Sequence, residues 1–319
     1  MKKSFKCISL MLSPLLILGC GSTAFSAATV EDNKSVKAIY EKIEEGRTVL
    51  YDENNNEIPV EKLNNDTENI SKKLPQKYDL RDYGRVSKVK NQGSEGYCWA
   101  FASVASMESS ILSQNDLKSK LGENPQDTID LSEAGQTWYI HSGIVDKSSP
   151  FYGDYINDSS KGSNGGTSDT LAISLNSGFG TYLQSLCPYN EVKKGFSETL
   201  RYYSDYRLKD YSEISNNKDT LKSKIVSNGA VTVHYPSITD CYSYDYANYY
   251  SDNTCIGIGD SHLIVVVGWD DNYSKDNFTG KVKPSNDGAW LCKNSWGEHY
   301  GNDGYILSLI HISEPTRRS

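Results

Sequence analysis

Two apolar runs with different periods predict a buried helix and a buried strand. The run WAFASVASMESSIL follows Cys98, contains no Gly or Pro, and spreads apolar residues around a helical period. It predicts a buried helix with Cys98 at or near its first turn. The run HLIVVVGW begins at His262 and consists of strand-forming residues that end at a glycine and an aromatic residue. It predicts a buried strand with His262 at its start.

The N-terminal part of the chain has the pattern of an export signal followed by a polar segment. Residues 1–28 contain three lysines, then the apolar run ISLMLSPLLILG, then small residues. The small residues up to Ala28 predict ordinary cleavage and secretion, which we favour. The sequence ILGC, which ends at Cys20, instead fits a lipobox in which Cys20 would be acylated. Residues 29–74 are polar, with one candidate amphipathic helix at 36–45.

Composition narrows the possible classes of function. A chain of 319 residues with 37% hydrophobic residues can form one sizeable domain. Its net charge of −8 gives no support for nucleic-acid binding. No later apolar run is long enough to span a bilayer, so we expect membrane contact only through the signal or a lipid anchor. The spacing of Cys and His suggests no zinc site, and we expect no cofactor.

The cysteines beyond the export signal fall into different environments. Cys241 and Cys255 bracket a Tyr-rich segment and could form a bridge in an oxidising compartment. Cys292 lies in an apolar strand and is expected to be a buried free thiol. Cys98 lies in the segment QGSEGYCWAF, residues 92–101, and is the candidate nucleophile. The alternative is a structural cysteine that precedes a core helix.

A thiol nucleophile needs a base, and five histidines are available. His262 is the one that opens a run of strand-forming residues; the alternative is a histidine that caps a buried sheet. We expect His234 and His299 to be structural or solvent-facing, and His141, in a polar Ser-rich stretch, to lie on the surface. The fifth, His311, lies near the C-terminus.

A third motif follows an apolar strand late in the chain. It reads Asn294-Ser295-Trp296-Gly297, and a simple turn could use the same four residues. Together, however, the segments around Gln92, Cys98, His262 and Asn294 occur in the order found in papain-like cysteine proteases, and this chain resembles that family. The resemblance is best to bacterial surface-layer-processing, or cell-wall, cysteine proteases, which begin their mature domain with a segment like LPQKYDLR at 74–81.

The resemblance implies an α+β fold with two subdomains: a helical half, a β-barrel-like half and an active-site cleft between them. It also implies roles for seven residues. Cys98 would be the nucleophile, His262 the general base and Asn294 its orienting partner. Gln92, with the backbone N–H of Cys98, would bind the oxyanion. The remaining roles belong to Trp296, which would shield the His262–Asn294 hydrogen bond, and to Gly165 and Gly166, which would pair with the substrate backbone if they are not an ordinary loop.

Two departures from the family pattern stand out. Many relatives bridge a Cys three residues before the nucleophile to a Cys just before the glycine pair, but here these positions are Glu95 and Ser163. The segment between the His and Asn motifs is long, and residues 270–287 are predicted to form a surface loop. A helix is also expected to begin after Ser132, a candidate N-cap.

The sequence therefore predicts four regions: an export signal at 1–28, a prosegment at 29–74, a peptidase domain at 75–308 and a non-native tail at 309–319, where LIHISEPTRRS resembles translated adapter DNA. We expect a secreted or surface-bound bacterial cysteine endopeptidase that acts on protein or peptide substrates and is inhibited by its own prosegment. The alternatives are a transglutaminase-like acyl transferase and a non-catalytic binding protein on the same fold.

Overall fold

The structure is a computed structural model of the chain. It describes residues 24–27, 40–44, 47–51, 57–58, 74–144, 147–148, 152–153, 165–166, 168–176, 181–208, 211–214, 217–243, 245–251 and 260–309. Most of the predicted export signal and prosegment, the possible disulfide partner Cys255, and residues 310–319 of the predicted tail lie outside this described part. Leu309, the first residue of that tail, donates its backbone N–H to Tyr249 O at 3.2 Å.

The predicted helix after Cys98 is confirmed, and it begins at Cys98 itself. The helix predicted after Ser132 is confirmed as well, with the Ser132 hydroxyl accepting from the Gly135 N–H at 2.9 Å. The α-helices of the described residues are α1 (Cys98–Leu112), α2 (Asn115–Lys118), α3 (Pro125–Thr128), α4 (Glu133–His141), α5 (Ser168–Asn176) and α6 (Lys218–Asn228). None of them is long and apolar enough to cross a membrane.

The strands form two sheets. Their bounds are β1 (Ala24–Ala27), β2 (Tyr40–Glu44), β3 (Arg47–Tyr51), β4 (Glu57–Ile58), β5 (Lys77–Asp79), β6 (Tyr211–Ile214), β7 (Val231–Ser237), β8 (Tyr242–Ser243), β9 (Asn248–Tyr249), β10 (Asp260–Asp270), β11 (Ala289–Lys293) and β12 (Tyr305–Ser308). The larger sheet has the order β6-β1-β7-β10-β11-β12-β9-β8, and β5 pairs with β10 outside this path. The smaller sheet has the order β2-β3-β4.

Strand β10 is the centre of the larger sheet, because it pairs antiparallel with β7 on one side and with β11 on the other. The strand predicted from HLIVVVGW is therefore confirmed, and His262 lies near its start. Its apolar residues Ile264, Val265, Val266 and Val267 are buried. They pack with β7 and β11 into the core of the β half.

Helix α1 lies between the β half and a second core made by the helices. Its residues Trp99, Val104 and Ile111 pack with Leu131 and Ile140. On its other side α1 packs against β10. The α+β architecture with a helical half and a sheet half is thus as predicted, and α1 is the element shared by both.

Two local predictions are wrong. A helix was expected at 36–45, but Tyr40–Glu44 is strand β2, in antiparallel register with β3. The partner strand is rich in β-branched and aromatic residues, and cross-strand pairing with it overrides the helical pattern. His141 was expected on the surface, but it is buried at the end of α4, where its ring meets the edge of Trp99 at a centroid distance of 5.8 Å.

Candidate active site

Helix α1 places Cys98 at the boundary between the two halves. The Cys98 thiol is hydrogen-bonded by the backbone of Leu263, the residue after His262. Burial raises the pKa of this thiol, and backbone hydrogen bonds from Leu263, Trp99 and Cys98 itself oppose the increase. The thiol therefore lies directly beside the start of β10.

His262 and Asn294 meet at the ends of neighbouring strands. The His262 Nε2 lies 2.9 Å from the Asn294 Oδ1, and both side chains are buried. The same Oδ1 accepts from the Ser295 backbone N–H at 2.8 Å. Since an amide oxygen can only accept, Nε2 must carry a proton in this pair. The neutral His262 ring is then left with Nδ1 as its proton acceptor.

Trp296 covers this pair. Its ring stacks on the His262 ring with centroids 4.5 Å apart and planes 21° apart, and Tyr300 contacts Trp296 edge-on. Burial lowers the pKa of His262 from its ordinary 6.5 to about 4; the Asn294 hydrogen bond opposes this, and His234 adds to it. Burial thus favours the neutral form of Cys98 and the neutral form of His262 when the charge of the other group is left out.

Mutual attraction between the two groups can offset this tendency. Opposite charges about 4 Å apart attract by about 4 kcal/mol at an effective dielectric constant of about 20. That energy corresponds to about three pKa units, because one unit is worth about 1.4 kcal/mol. For a thiolate–imidazolium pair at that separation, the attraction would be large enough to offset the lowered pKa of His262.

Two hydrogen bonds fix the orientation of the Gln92 side-chain amide. Its Nε2 donates to Glu95 O at 2.9 Å, and its Oε1 accepts from the Ser295 hydroxyl at 2.6 Å. Its backbone N–H also donates to Ser295 O at 2.8 Å. One of the two amide hydrogens is used by Glu95 O, so the second remains available to a substrate oxygen.

Ser295 is a positioning residue that the sequence analysis did not identify. Its hydroxyl ties Gln92, from the segment before α1, to the segment that follows β11 and contains Asn294. The two side chains are 203 positions apart in the chain. The NSWG motif contained the serine, but nothing in its pattern indicated this partner.

Gly165 and Gly166 have separate structural reasons to be glycine. Gly165 has φ +87°, a conformation that L side chains rarely adopt. A Cβ on Gly166 would lie 2.5 Å from the Trp99 indole ring, which is fully buried one residue after Cys98. Gly166 thus packs directly on the residue that follows the candidate nucleophile.

We expect Gly166→Ala to destabilise the protein by roughly 1–3 kcal/mol, since Trp99 has no room to move. The kcat/KM of peptide hydrolysis should fall as well, because a shift of Trp99 displaces the first turn of α1. Thermal unfolding and initial rates would measure the two effects. The control is Gly122→Ala, at φ +86° with no atom within 4 Å of the added Cβ, which tests backbone strain alone. Wild-type stability in Gly166→Ala would contradict the contact.

A buried ion cluster holds the elements that carry these residues. Glu108, on α1, accepts from the Lys90 Nζ at 3.0 Å, the Ser87 hydroxyl at 2.5 Å and the Leu131 N–H at 2.8 Å. Lys293 Nζ donates to Ser87 O at 2.9 Å and to its hydroxyl at 3.0 Å. Lys90 lies two residues before Gln92, and Lys293 lies one residue before Asn294. The cluster therefore links the segments that carry Gln92, Cys98 and Asn294.

Burial and the neighbouring carboxylates shift the pKa values of the two lysines in this cluster. Burial lowers the pKa of Lys293 to about 8, although the carboxylates of the cluster oppose the decrease. Burial also lowers the pKa of Lys90, but the carboxylates of Glu108, Glu133 and Asp130 outweigh it, so the net change is an increase. In the described residues, no group of three or more His, Cys, Asp or Glu side chains is arranged to hold a metal ion.

The predicted site residues thus lie close together in this structure, and the histidine that is hydrogen-bonded to Asn294 is His262. Leu263 and Ser295 connect the segments that carry Cys98, His262, Gln92 and Asn294. Trp296 stacks on His262, and Gly166 lies against Trp99. His299 is exposed. Cys292 is a buried free thiol, as predicted.

Comparison with known proteins agrees with this geometry. The chain is 28% identical to cathepsin S of Mus musculus over 242 residues, which are 73% of this chain and 58% of that protein. It is similar to the solved structure of the cysteine protease and lectin-like domains of Cwp84, a surface layer associated protein of Clostridium difficile, with a TM-score of 0.56 and 28% identity, over 76% of this chain and 50% of that one. A recombinant stem bromelain precursor shares the fold, with a TM-score of 0.51 and 23% identity, over 77% of this chain and 67% of that one.

The chain spans between half and three-fifths of the length of the cathepsins and of the Cwp84 structure that it matches. The family model of papain family cysteine proteases matches residues 74–314, which is most of the chain. That segment contains helix α1, which begins at Cys98, strand β10 with His262, and Asn294. This chain belongs to the papain family of cysteine proteases.

Proposed function

We propose that the chain is a cysteine endopeptidase that hydrolyses peptide bonds through a thioester on Cys98. The observation that carries the proposal is the 2.9 Å hydrogen bond between His262 Nε2 and Asn294 Oδ1. The Cys98 thiol lies beside this pair, because it is hydrogen-bonded by the backbone of Leu263, the residue after His262. A thiol next to an oriented imidazole is the arrangement that nucleophilic catalysis requires.

In the proposed reaction, the Nδ1 of His262 takes the proton of Cys98, and the thiolate attacks the substrate carbonyl carbon. The Gln92 Nε2 and the Cys98 backbone N–H donate hydrogen bonds to the oxyanion that forms. The imidazolium then protonates the leaving amine as the C–N bond breaks. Water, deprotonated by His262, hydrolyses the thioester and regenerates the thiol. Trp296 excludes bulk water from the His262–Asn294 hydrogen bond, and the reaction needs no cofactor.

We further propose that the substrate is an extended peptide running along Gly165 and Gly166, and that the enzyme acts outside the cell or at the surface of a bacterium. The pattern of residues 1–28 supports export, and a lipid anchor on Cys20 would keep the protein at the membrane. The similarity to Cwp84, a surface layer associated protein, supports surface or extracellular proteins as substrates.

The two alternatives make different predictions about the orienting residue and the nucleophile. A transglutaminase-like acyl transferase typically uses an aspartate to orient its histidine, whereas the partner of His262 here is Asn294. A non-catalytic binding protein would have no need of a thiol beside an imidazole. Both observations favour hydrolysis.

The test is to incubate the purified chain with casein and with the epoxide inhibitor E-64. We expect casein cleavage, and a single covalent E-64 adduct on the peptide that contains Cys98, detected by mass spectrometry. Cys98→Ala should give neither. Casein cleavage that persists in Cys98→Ala would reject the proposed mechanism.

We also propose that residues 29–74 block the cleft until they are removed near Leu74. In the described structure the Trp269 Nε1 donates to Pro75 O at 3.0 Å, and the Asp271 N–H donates to Gln76 O at 2.8 Å. Trp269 lies seven residues beyond His262 along β10, and seven strand residues span roughly 20 Å. The junction near Leu74 is therefore remote from the chain's own Cys98.

We expect removal of the prosegment to occur between molecules, because one molecule cannot bring its own junction to its cleft while 75–76 stay docked. The half-time of processing should lengthen in proportion to dilution, and wild-type enzyme should cut a Cys98→Ala precursor added in trans. Gel quantification of precursor and product measures both. A half-time independent of concentration would contradict this geometry, and a precursor as active as the mature enzyme would contradict the inhibitory role of the prosegment.

A further inference from the structure

Tyr189 makes a hydrogen bond to Gln92, the candidate oxyanion residue, from a segment far along the chain. Its hydroxyl donates to the Gln92 backbone oxygen at 2.6 Å, across 97 positions of sequence. The Gln92 amide is held by Glu95 O and the Ser295 hydroxyl, and its backbone N–H by Ser295 O. Tyr189 therefore supplies the partner of the remaining polar group of Gln92, its backbone carbonyl.

The ring of Tyr189 packs against two residues that flank Cys98. It meets the Tyr97 ring edge-on at a centroid distance of 6.2 Å and the Phe101 ring edge-on at 5.0 Å. Tyr97 directly precedes Cys98, and Phe101 lies on the first turn of α1. The two donors proposed for the oxyanion are the Gln92 amide and the Cys98 backbone N–H. Tyr189 thus contacts both of the segments that carry these donors.

The segment that carries Tyr189 is anchored on both sides of it. Two residues earlier, the backbone oxygen of Cys187 accepts from the hydroxyl of Ser132, the N-cap of α4. Four residues later, the Lys193 ammonium pairs with the Glu95 carboxylate at 2.6 Å. Since Tyr189 lies between these two contacts, its hydroxyl is held at a defined distance from the loop before Cys98.

The Tyr189 hydroxyl stays protonated over the pH range in which the protein is folded and active. Burial raises its pKa above the ordinary 10, and the neighbouring Tyr97, Glu95 and Glu133 add to the increase. A protonated phenol can donate, and a backbone oxygen can only accept, so the direction of the hydrogen bond to Gln92 is fixed. The contribution of this hydrogen bond should therefore not change with pH.

Resting on the proposed endopeptidase function, we propose that Tyr189 is a positioning residue that sets the spacing between the Gln92 amide and the Cys98 backbone N–H. These donors stabilise the developing charge only if both point at the place that the substrate oxygen occupies in the transition state. A displacement of about 1 Å can lower a rate by about 100-fold. Because the oxyanion exists only after attack, loss of Tyr189 should lower kcat and leave KM nearly unchanged.

The test is Tyr189→Phe, which keeps the ring with its apolar contacts and removes the hydroxyl. We expect kcat for a fluorogenic peptide to fall by about tenfold, a free-energy difference of about 1.4 kcal/mol, while KM changes by less than about twofold. Alkylation of Cys98 by iodoacetamide expels iodide and forms no oxyanion, so its rate and its pH dependence should match wild type. An alkylation rate that falls as much as kcat would overturn the oxyanion role.

The matched control is Tyr139→Phe, because the Tyr139 hydroxyl on α4 also donates to a backbone oxygen, that of Ser197, at 2.5 Å. Both variants should show a similar, small fall in melting temperature, and Tyr189→Phe alone should lose kcat. Wild-type kcat in Tyr189→Phe, or an equal loss in Tyr139→Phe, would overturn the positioning role alone. Absence of E-64 labelling in wild type would overturn the endopeptidase function and, with it, this inference.

Discussion

His262→Ala is expected to lower kcat/KM for peptide hydrolysis by about 10⁴-fold or more, and Cys98→Ala to lower it by a similar factor. In the proposed mechanism the ring of His262 accepts the proton of the thiol, and its Nε2 is hydrogen-bonded to Asn294 at 2.9 Å. Without the ring, the buried thiol stays protonated, because burial has raised its pKa. Initial rates on a fluorogenic peptide measure the loss.

The double variant Cys98→Ala/His262→Ala is expected to be no slower than either single variant, because residues that act as a unit give strongly non-additive effects. The control is His299→Ala, which removes an exposed histidine and should leave the rate unchanged. Additive losses in the double variant would mean that Cys98 and His262 act in separate steps. That result would remove the shared proton transfer from the proposed mechanism.

Glu108→Ala is expected to destabilise the folded protein by about 3–5 kcal/mol, the usual cost of removing one partner from a buried charge cluster. Glu108 is 1% exposed and accepts three hydrogen bonds, from Lys90, Ser87 and the Leu131 backbone. Its loss leaves the Lys90 ammonium with fewer carboxylates and the Leu131 N–H without its acceptor. For a domain of this size the melting temperature should fall by roughly 10 °C.

Two further variants make this stability prediction specific. Glu123→Ala removes an exposed carboxylate and should change stability by less than about 0.5 kcal/mol. Glu108→Gln keeps an acceptor for Leu131 but not the charge, so its melting temperature should lie between those of wild type and Glu108→Ala. Thermal unfolding followed by circular dichroism measures all three. Equal melting temperatures for Glu108→Ala and Glu123→Ala would show that the cluster does not stabilise the fold.

Much of the site could be predicted because its candidate catalytic residues lie in short segments whose local sequence pattern is informative. Cys98 precedes a helical run, and His262 opens a run of strand-forming residues, so periodicity alone places each at the end of an element. The N-cap at Ser132 is equally local. The role of Asn294 could be predicted only from the family resemblance, because a tetrapeptide in a turn carries little information by itself.

What could not be predicted depends on pairs that are distant in the chain. The Ser295–Gln92 hydrogen bond joins residues 203 positions apart, and the Lys293–Ser87 contact joins residues 206 apart. No pattern in either segment specifies which remote side chain it will meet. The surface position expected for His141 was wrong for the same reason, because its burial comes from Trp99 on a different helix.

Glu95 has a consequence for the conditions under which the enzyme can work. Its carboxylate lies 2.6 Å from the Lys193 ammonium, and its carbonyl oxygen holds the Gln92 amide. Thiol proteases must be kept reduced to protect their nucleophile, and in relatives with a cystine at this position the same reductant threatens the loop. Glu95 has no sulfur to reduce. The loop before Cys98 is therefore expected to tolerate strong reductants, whereas high salt is expected to weaken the exposed ion pair between Glu95 and Lys193.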